Sequence, residues 1–288
     1  MTRQQKYTPI HGFYLFFIRL CRLGAALGLF LLGVNIAGHL MGSGIFFHPG
    51  HIPGRPAIPL KDLSLLQMKM DERPYDYAAR MNSLIFFSMH HYFTTEMDFN
   101  NIHKTAVPFL YNWALWARAL RRYARGQDYR IEFASPVSAL ARGYGLCSQQ
   151  ALVLENLLTR NGLQAKATGI RGHVITKVTL DGQEMVFDPD YNIIMPFSLQ
   201  HAAAHPFLVT HYYRNSPMIS SSIDANRIAD IYGQNFSGDY PAKLSIGLER
   251  KYRAIKWAFP ISLLLLWGAV EAWRRKCVPP RRQLASTL

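Results

Sequence analysis

The sequence predicts an α+β domain, helices packed on an antiparallel sheet, held between two apolar segments at its ends. Three observations lead there. Residues 142–192 read as a helix followed by a series of strands. Leu23–Met41 and Trp257–Trp273 are apolar runs near the two ends of the chain. Of the formal net charge of +14, the flanks 1–42 and 254–288 carry +9, with ten basic residues and one acid.

With 288 residues the chain can hold one globular domain plus anchoring segments. Hydrophobic residues make up 49% and charged residues 17%, leaner in charge than a soluble domain. Leu23–Met41 is long enough to cross a bilayer, which takes about 20 residues. Arg3, Lys6, Arg19 and Arg22 precede its end, and no Lys or Arg follows until Arg55. The positive-inside rule then keeps the N-terminus in the cytoplasm. A cleaved signal peptide is the competing reading; the long basic leader and the missing A-x-A site disfavour it.

Trp257–Trp273 carries a Trp at each end and Arg274, Arg275 and Lys276 beyond. It is short and contains Glu271, so a tilted span and an interfacial helix are both open. As a span it returns the chain to the cytoplasm. The expected organisation is therefore 1–42 as cytoplasmic N-terminus and first span, 43–255 as an extracytoplasmic domain with its core at 74–195, and 256–288 as second span and basic tail. Nucleic acid is excluded as a partner because the charge sits at the ends and no recognition motif accompanies it.

Along the middle, residues 43–62 are rich in Gly and Pro and read as a connector, His48 and His51 as solvated loop histidines. Pro74–Phe93 and Val107–Ala124 read as helices, the second with a basic end that suits a helix C-terminus. The adjacent His90 and His91 point in different directions, a poor spacing for ligands. Asp128–Phe133 reads as a short strand. Phe207–Tyr213 reads as extended and Ile223–Ile231 as a short helix. No phosphate-cradling glycine motif or zinc-type Cys/His spacing is present, so neither cofactor nor metal is expected.

The informative stretch begins at Gly143-Tyr144-Gly145, which leads into Cys147 at a helix start. Ala151, Leu152, Leu154, Leu157 and Leu158 recur at helical spacing, and Asn161-Gly162 stops the helix. His173–Leu180 and Gln183–Asp188 are then split by Asp181-Gly182, a two-residue hairpin signal. Leu180 opposite Gln183 sets Ile175 opposite Asp188 and His173 opposite Asp190. His173, Ile175, Asp188 and Asp190 thus share one face, while Val174, Val178, Leu180, Met185 and Phe187 form a core face. His173 and Asp188 become diagonal neighbours, close enough for a hydrogen bond.

A thiol at a helix N-terminus sees the positive end of the macrodipole, which favours thiolate. Cys147 is then a nucleophile, His173 its base, and Asp188 the group that orients the ring. Asp190 is the fallback orienting carboxylate. The helix-start amides, Cys147 N–H included, supply oxyanion donors. Cys21 lies at the first span and Cys277 in the expected cytoplasmic tail, so Cys147 has no disulfide partner in the exported part. A buried structural cysteine is the plain alternative.

Gly145-Leu146-Cys147, Gly172-His173 and Asp188-Pro189, in this order, resemble the core of the transglutaminase-like superfamily, relatives of papain-type cysteine proteases. The wording GLCSQQA … GH … DPDYN is similar to bacterial membrane-anchored members associated with exopolysaccharide loci. The resemblance implies a papain-like fold, a Cys147–His173–Asp188 triad and a thioester intermediate with an amide or acyl substrate, resolved by water or an amine. It also implies a side-chain oxyanion donor, for which Tyr144, Trp113 and Gln149 are the candidates. The expected site is the outer face of the inner membrane, with envelope polysaccharide or peptide and assembly proteins as partners. The alternative is a catalytically silent scaffold or binding module of a polysaccharide assembly complex.

Overall fold

The computed structural model describes residues 9–42, 63–91, 107–216, 218–219, 221–233, 238–240 and 246–277. The connector around His48 and His51 lies outside the described residues. The chain is a mixed helix and sheet protein with a five-stranded antiparallel sheet among the described residues.

The central helix is α5 (Cys147–Arg160), to be counted after α1 (Pro9–Met41), α2 (Pro74–Ser88), α3 (Trp113–Tyr123) and α4 (Pro136–Arg142). A two-residue parallel pair, β1 (His90–His91) with β2 (Tyr144–Gly145), stands before it. Strands β3 (Gln164–Ile170), β4 (His173–Leu180), β5 (Gln183–Asp188) and β6 (Ile193–Met195) follow as a meander, and β7 (Gly238–Asp239) adds to the free edge of β3. The β4–β5 register is the expected one, running from Leu180↔Gln183 to Thr176↔Phe187. Its turn needs left-handed backbone at both central positions, and Asp181 (φ 51°) and Gly182 (φ 76°) supply it.

The core face of the hairpin packs as expected. Val178, Leu180, Met185 and Phe187 bury against Leu154 and Leu158 of α5 and Tyr77, Met81 and Ile85 of α2. The opposite face is covered too. Helices α6 (Leu199–Ala204), α7 (Pro206–Arg214) and α8 (Ser222–Tyr232) bring Val209, Tyr213, Ala225 and Tyr232 onto Ile175, Val186 and Ile193. Phe207–Tyr213 is therefore helix, not strand. Its aromatic and β-branched residues mimic a strand, but Pro206 starts the first turn and buried Val209 and Tyr213 are spaced four apart.

Three further readings differ from expectation. The helix expected over Pro74–Phe93 ends at Ser88, because Met89 turns extended and His90–His91 pairs with Tyr144–Gly145. The helix expected from Val107 starts at Trp113, because the Asn112 side chain caps it by accepting from Ala114 N and Leu115 N. Asp128–Phe133 joins no sheet. Side chains occupy its backbone instead: Gln149 accepts from Phe133 N at 2.6 Å and donates to Phe133 O at 2.9 Å, and Arg142 donates to Ile131 O at 2.6 Å. Gln149 thus pairs Phe133 as a neighbouring strand would.

The last helix, α9 (Ile246–Cys277), packs antiparallel on α1, with Tyr14 near Trp273 and Asn35 near Lys256. Gly24 and Gly28 form a G-x-x-x-G face there, and a Cβ on Gly28 would lie 2.9 Å from Pro260 O. Pro260 has no N–H, so the Lys256 carbonyl one turn earlier is released from the helix. It accepts from Asn35 Nδ2 of α1 and from Trp113 Nε1 of α3 at 3.3 Å. Away from this seam, Phe13, Phe16, Leu23, Phe30, Ile261 and Leu265 are exposed. Both helices are long and apolar enough to cross a bilayer, and they indicate membrane association.

Candidate active site

The site forms where the start of α5 meets the open end of the β4–β5 hairpin. Getting Cys147 there depends on Gly145. A Cβ at Gly145 would stand 2.6 Å from Gln149 Cβ and 3.0 Å from Met89 Cε, so only glycine lets β2 run this close to the first turn of α5. The buried Arg142 fixes the same corner, donating to Tyr144 O, Ile131 O and Gln149 Oε1. Glu249, at the start of α9, accepts from Ala134 N and from Ser135 N at 3.1 Å. The candidate membrane helix is thus tied to the segment that cradles α5.

Cys147 is the first residue of α5, partly exposed, with no acidic residue in its turn. Leu146 O takes the Gln149 and Gln150 amides, while Cys147 N–H and Ser148 N–H make no hydrogen bond among the described residues. His173 opens β4, and Asp188 closes β5. His173 Nε2 lies 2.7 Å from Asp188 Oδ2, as the hairpin register requires. That leaves Nδ1 for Cys147, whose sulfur, a His173 ring nitrogen and an Asp190 oxygen all lie within 4.8 Å of one another. Burial works against charge on the imidazole. The Asp188 carboxylate and the Cys147 sulfur outweigh it and hold the His173 pKa well above the ordinary 6.5.

Asp188 is fully buried and well supplied with donors. Besides His173, it accepts from the Tyr213 hydroxyl and, at 3.0 Å, from Asp190 N. Tyr213 has one proton and gives it to Asp188, so the Tyr232 hydroxyl, 2.7 Å away, is the donor between the two tyrosines. Burial first, and then the Asp188 charge, push both phenols well above 10, so both stay neutral donors. The result is a buried relay from Tyr232 through Tyr213, Asp188 and His173 to the sulfur.

Asp190 does not bond His173. Its Oδ1 is held by His91 Nδ1 at 2.8 Å and Gln150 Nε2 at 2.5 Å. The fallback carboxylate therefore belongs to a second pair that flanks the thiol. The three side chains considered as oxyanion donors fall in different places. The Gln149 amide is committed to Phe133 and Arg142. The Trp113 indole donates to Lys256 O at the seam with α9 and lies tilted against Phe259. Tyr144 is buried beside His90 on the strand pair that leads into Cys147.

Three groups at the site carry no signal in the sequence. His91, a poor ligand pair with His90 by spacing, is brought to Asp190 by the strand between α2 and β2. Tyr213, in a segment of strand-like composition, reaches Asp188 from a helix. Glu132 is buried next to the start of α5, where it accepts from Ser148 Oγ and from Tyr240 OH, and Tyr240 packs beside Cys147. No linear pattern marks any of them, because each meets the site only through tertiary packing. Likewise, no metal-ligand spacing exists in the sequence, yet the fold assembles Cys147, His173 and Asp190 from three separate segments. No protein-family model, curated protein or solved structure matches this chain.

Proposed function

We propose that the chain is a membrane-anchored cysteine enzyme of transglutaminase-like type that acts on an amide or acyl substrate through a thioester. One observation carries the reading: a sulfur at a helix start faces an imidazole whose far nitrogen is held by a buried carboxylate. Burial of an unpaired Asp would be costly; here the carboxylate is saturated with donors, and its charge is available to stabilise imidazolium.

In this mechanism Cys147 Sγ, as thiolate, attacks the carbonyl carbon. The oxygen develops negative charge against the free amides of Cys147 and Ser148 at the positive end of α5. The C–N bond breaks as His173 passes its proton to the leaving nitrogen, and the acyl group stays on sulfur. Water or an amine then adds to the thioester, losing its proton to neutral His173. Collapse expels the Cys147 thiolate, which re-forms its ion pair with the imidazolium made in the previous step. Removing one oxyanion donor or the base in such sites costs on the order of 10²–10⁴ in rate.

The antiparallel pairing of α1 with α9 supports placing both chain ends on one side of a bilayer and the α+β domain on the other. The basic residues before Leu23 and after Trp273 favour the cytoplasm for the ends, which faces the domain toward the envelope. Envelope peptides and amino-substituted polysaccharides are the substrate class reached from there. The test is adduct capture. Purified full-length protein is incubated with an envelope extract, and the Cys147 peptide is examined for an acyl adduct that hydroxylamine removes. A hydroxylamine-labile adduct on the wild type, diminished in His173→Ala and absent in Cys147→Ser, is expected. No adduct under any condition favours the silent scaffold.

A further inference from the structure

We propose that Cys147, His173 and Asp190 form a binding site for a zinc-class divalent cation, and that the bound ion silences the thiol. The site stands on its own geometry; only the silencing rests on Cys147 being the nucleophile.

The three side chains offer one sulfur, one imidazole nitrogen and one carboxylate oxygen, all within 4.8 Å of one another. Bond lengths of about 2.3 Å to sulfur and about 2.0–2.2 Å to nitrogen and oxygen put tetrahedral ligands roughly 3.4–3.6 Å apart. Closing that difference takes a movement of about 1 Å, within reach of a rotation at Cys147, which is partly exposed on the first residue of its helix.

The outer groups are those a metal centre needs. His173 Nε2 is bonded to Asp188, the carboxylate–histidine arrangement that presents the other nitrogen to a metal. Asp190 is nearly buried, and His91 and Gln150 both bond its Oδ1. Its Oδ2 accepts no hydrogen bond among the described residues, so one oxygen is anchored and the other is left for an ion. Nothing in the triad chemistry uses Asp190: it does not orient His173, and Asp188 already does. A thiolate and a carboxylate this close also repel each other, and a dication between them removes that repulsion. The thiolate–imidazole–carboxylate set selects zinc over magnesium or calcium, which prefer oxygen ligands throughout. Three protein ligands leave a fourth position open to water.

An ion held this way engages Sγ and Nδ1 together. The sulfur lone pair that attacks a carbonyl is then shared with the metal, and the nitrogen that moves the proton is taken. The chain would be active metal-free and silent when loaded, with a chelator restoring the thiol.

The test uses the full chain in detergent micelles, stripped with a chelator and desalted, then titrated with zinc chloride or cobalt chloride. Three quantities are read: metal bound per chain, the thiolate-to-cobalt charge-transfer absorption, and the rate of Cys147 alkylation resolved by peptide mass spectrometry. One ion per chain and a cobalt–thiolate band are expected. Alkylation should slow by about a hundredfold when free zinc is one hundred times its Kd, while magnesium changes nothing. Asp190→Asn, with protection read against its own metal-free alkylation rate, should lose most zinc protection, and His91→Gln, which removes the partner of the Asp190 carboxylate, should bind zinc on the order of 10–100-fold more weakly. No cobalt–thiolate band in the wild type, or zinc protection undiminished in Asp190→Asn, overturns the site. An unreactive metal-free Cys147 with an intact cobalt band keeps the site and removes the silencing.

Discussion

Replacing Tyr213 by Phe removes one oxygen atom from beneath Asp188 and leaves the ring, so the change isolates a hydrogen bond. Tyr213 donates to a buried carboxylate, and such bonds to charged groups contribute roughly 1.5–3 kcal/mol. The Tyr232 hydroxyl simultaneously loses its acceptor, and a buried donor left unsatisfied costs about 1–3 kcal/mol. The low end of the two together is about 2.5 kcal/mol. For a domain of this size each kcal/mol moves the melting temperature by about 2–4 °C, so Tyr213→Phe should melt roughly 5–10 °C below wild type. The decisive comparison is the same substitution in Asp188→Asn, where the acceptor is neutral and the bond is worth about 1 kcal/mol. A coupling of about 1 kcal/mol or more should appear in the double-mutant cycle of melting temperatures in detergent. An equal drop in both backgrounds would show that the hydroxyl does not act through the carboxylate, and the relay beneath His173 would be discarded.

Other consequences are open to measurement. The raised His173 pKa means that the folded state keeps a proton the unfolded chain releases above 6.5. Stability from that proton is complete below about 6.5 and is lost as pH rises through the folded value. The wild-type melting temperature should therefore fall relative to His173→Gln as pH rises above the ordinary imidazole value of 6.5, and parallel curves would contradict the charged imidazole. Gly145→Ala pushes a methyl to 2.6 Å from Gln149 Cβ, and overpacking of this kind costs about 1–3 kcal/mol. Its melting temperature should drop while Gly172→Ala, with open space around its Cβ, suffers only from its left-handed backbone. Reporters fused after Ile45 and after Gly238 should lie outside the cytoplasm and one after Leu288 inside; an external C-terminal reporter would mean that α9 does not cross.

The hairpin was legible because its signals are local. Asp181-Gly182 dictates the turn, the turn dictates the register, and the register puts His173 diagonal to Asp188. The helix start at Cys147 was legible for the same reason, although the need for Gly145 shows only in three dimensions, as a collision with Gln149. What failed was what depends on distant partners. Asp128–Phe133 has the composition of a strand, but Gln149 and Arg142 side chains take its backbone groups. Phe207–Tyr213 also looks like a strand, and nothing local says that Tyr213 will pack under the sheet and donate to Asp188. His91 looked unfit as a ligand beside His90, yet the two histidines serve different partners: His90 lies near Tyr144, His91 bonds Asp190. Nothing local to Pro260 says that the carbonyl it frees will gather Asn35 and Trp113 at one point.

The central claim is that Cys147 is an activated thiol paired with His173, and its alkylation rate by iodoacetamide as a function of pH tests it most directly. Site-resolved mass spectrometry on the full chain separates Cys147 from Cys21 and Cys277 without altering either. The account predicts that Cys147 is alkylated faster at neutral pH than a free thiol. His173→Ala should remove most of that advantage, Asp188→Asn should weaken it, and Asp190→Asn should leave most of it in place. A Cys147 that gains reactivity only as an ordinary thiol does, unchanged by loss of His173, would contradict the account and leave the domain a scaffold.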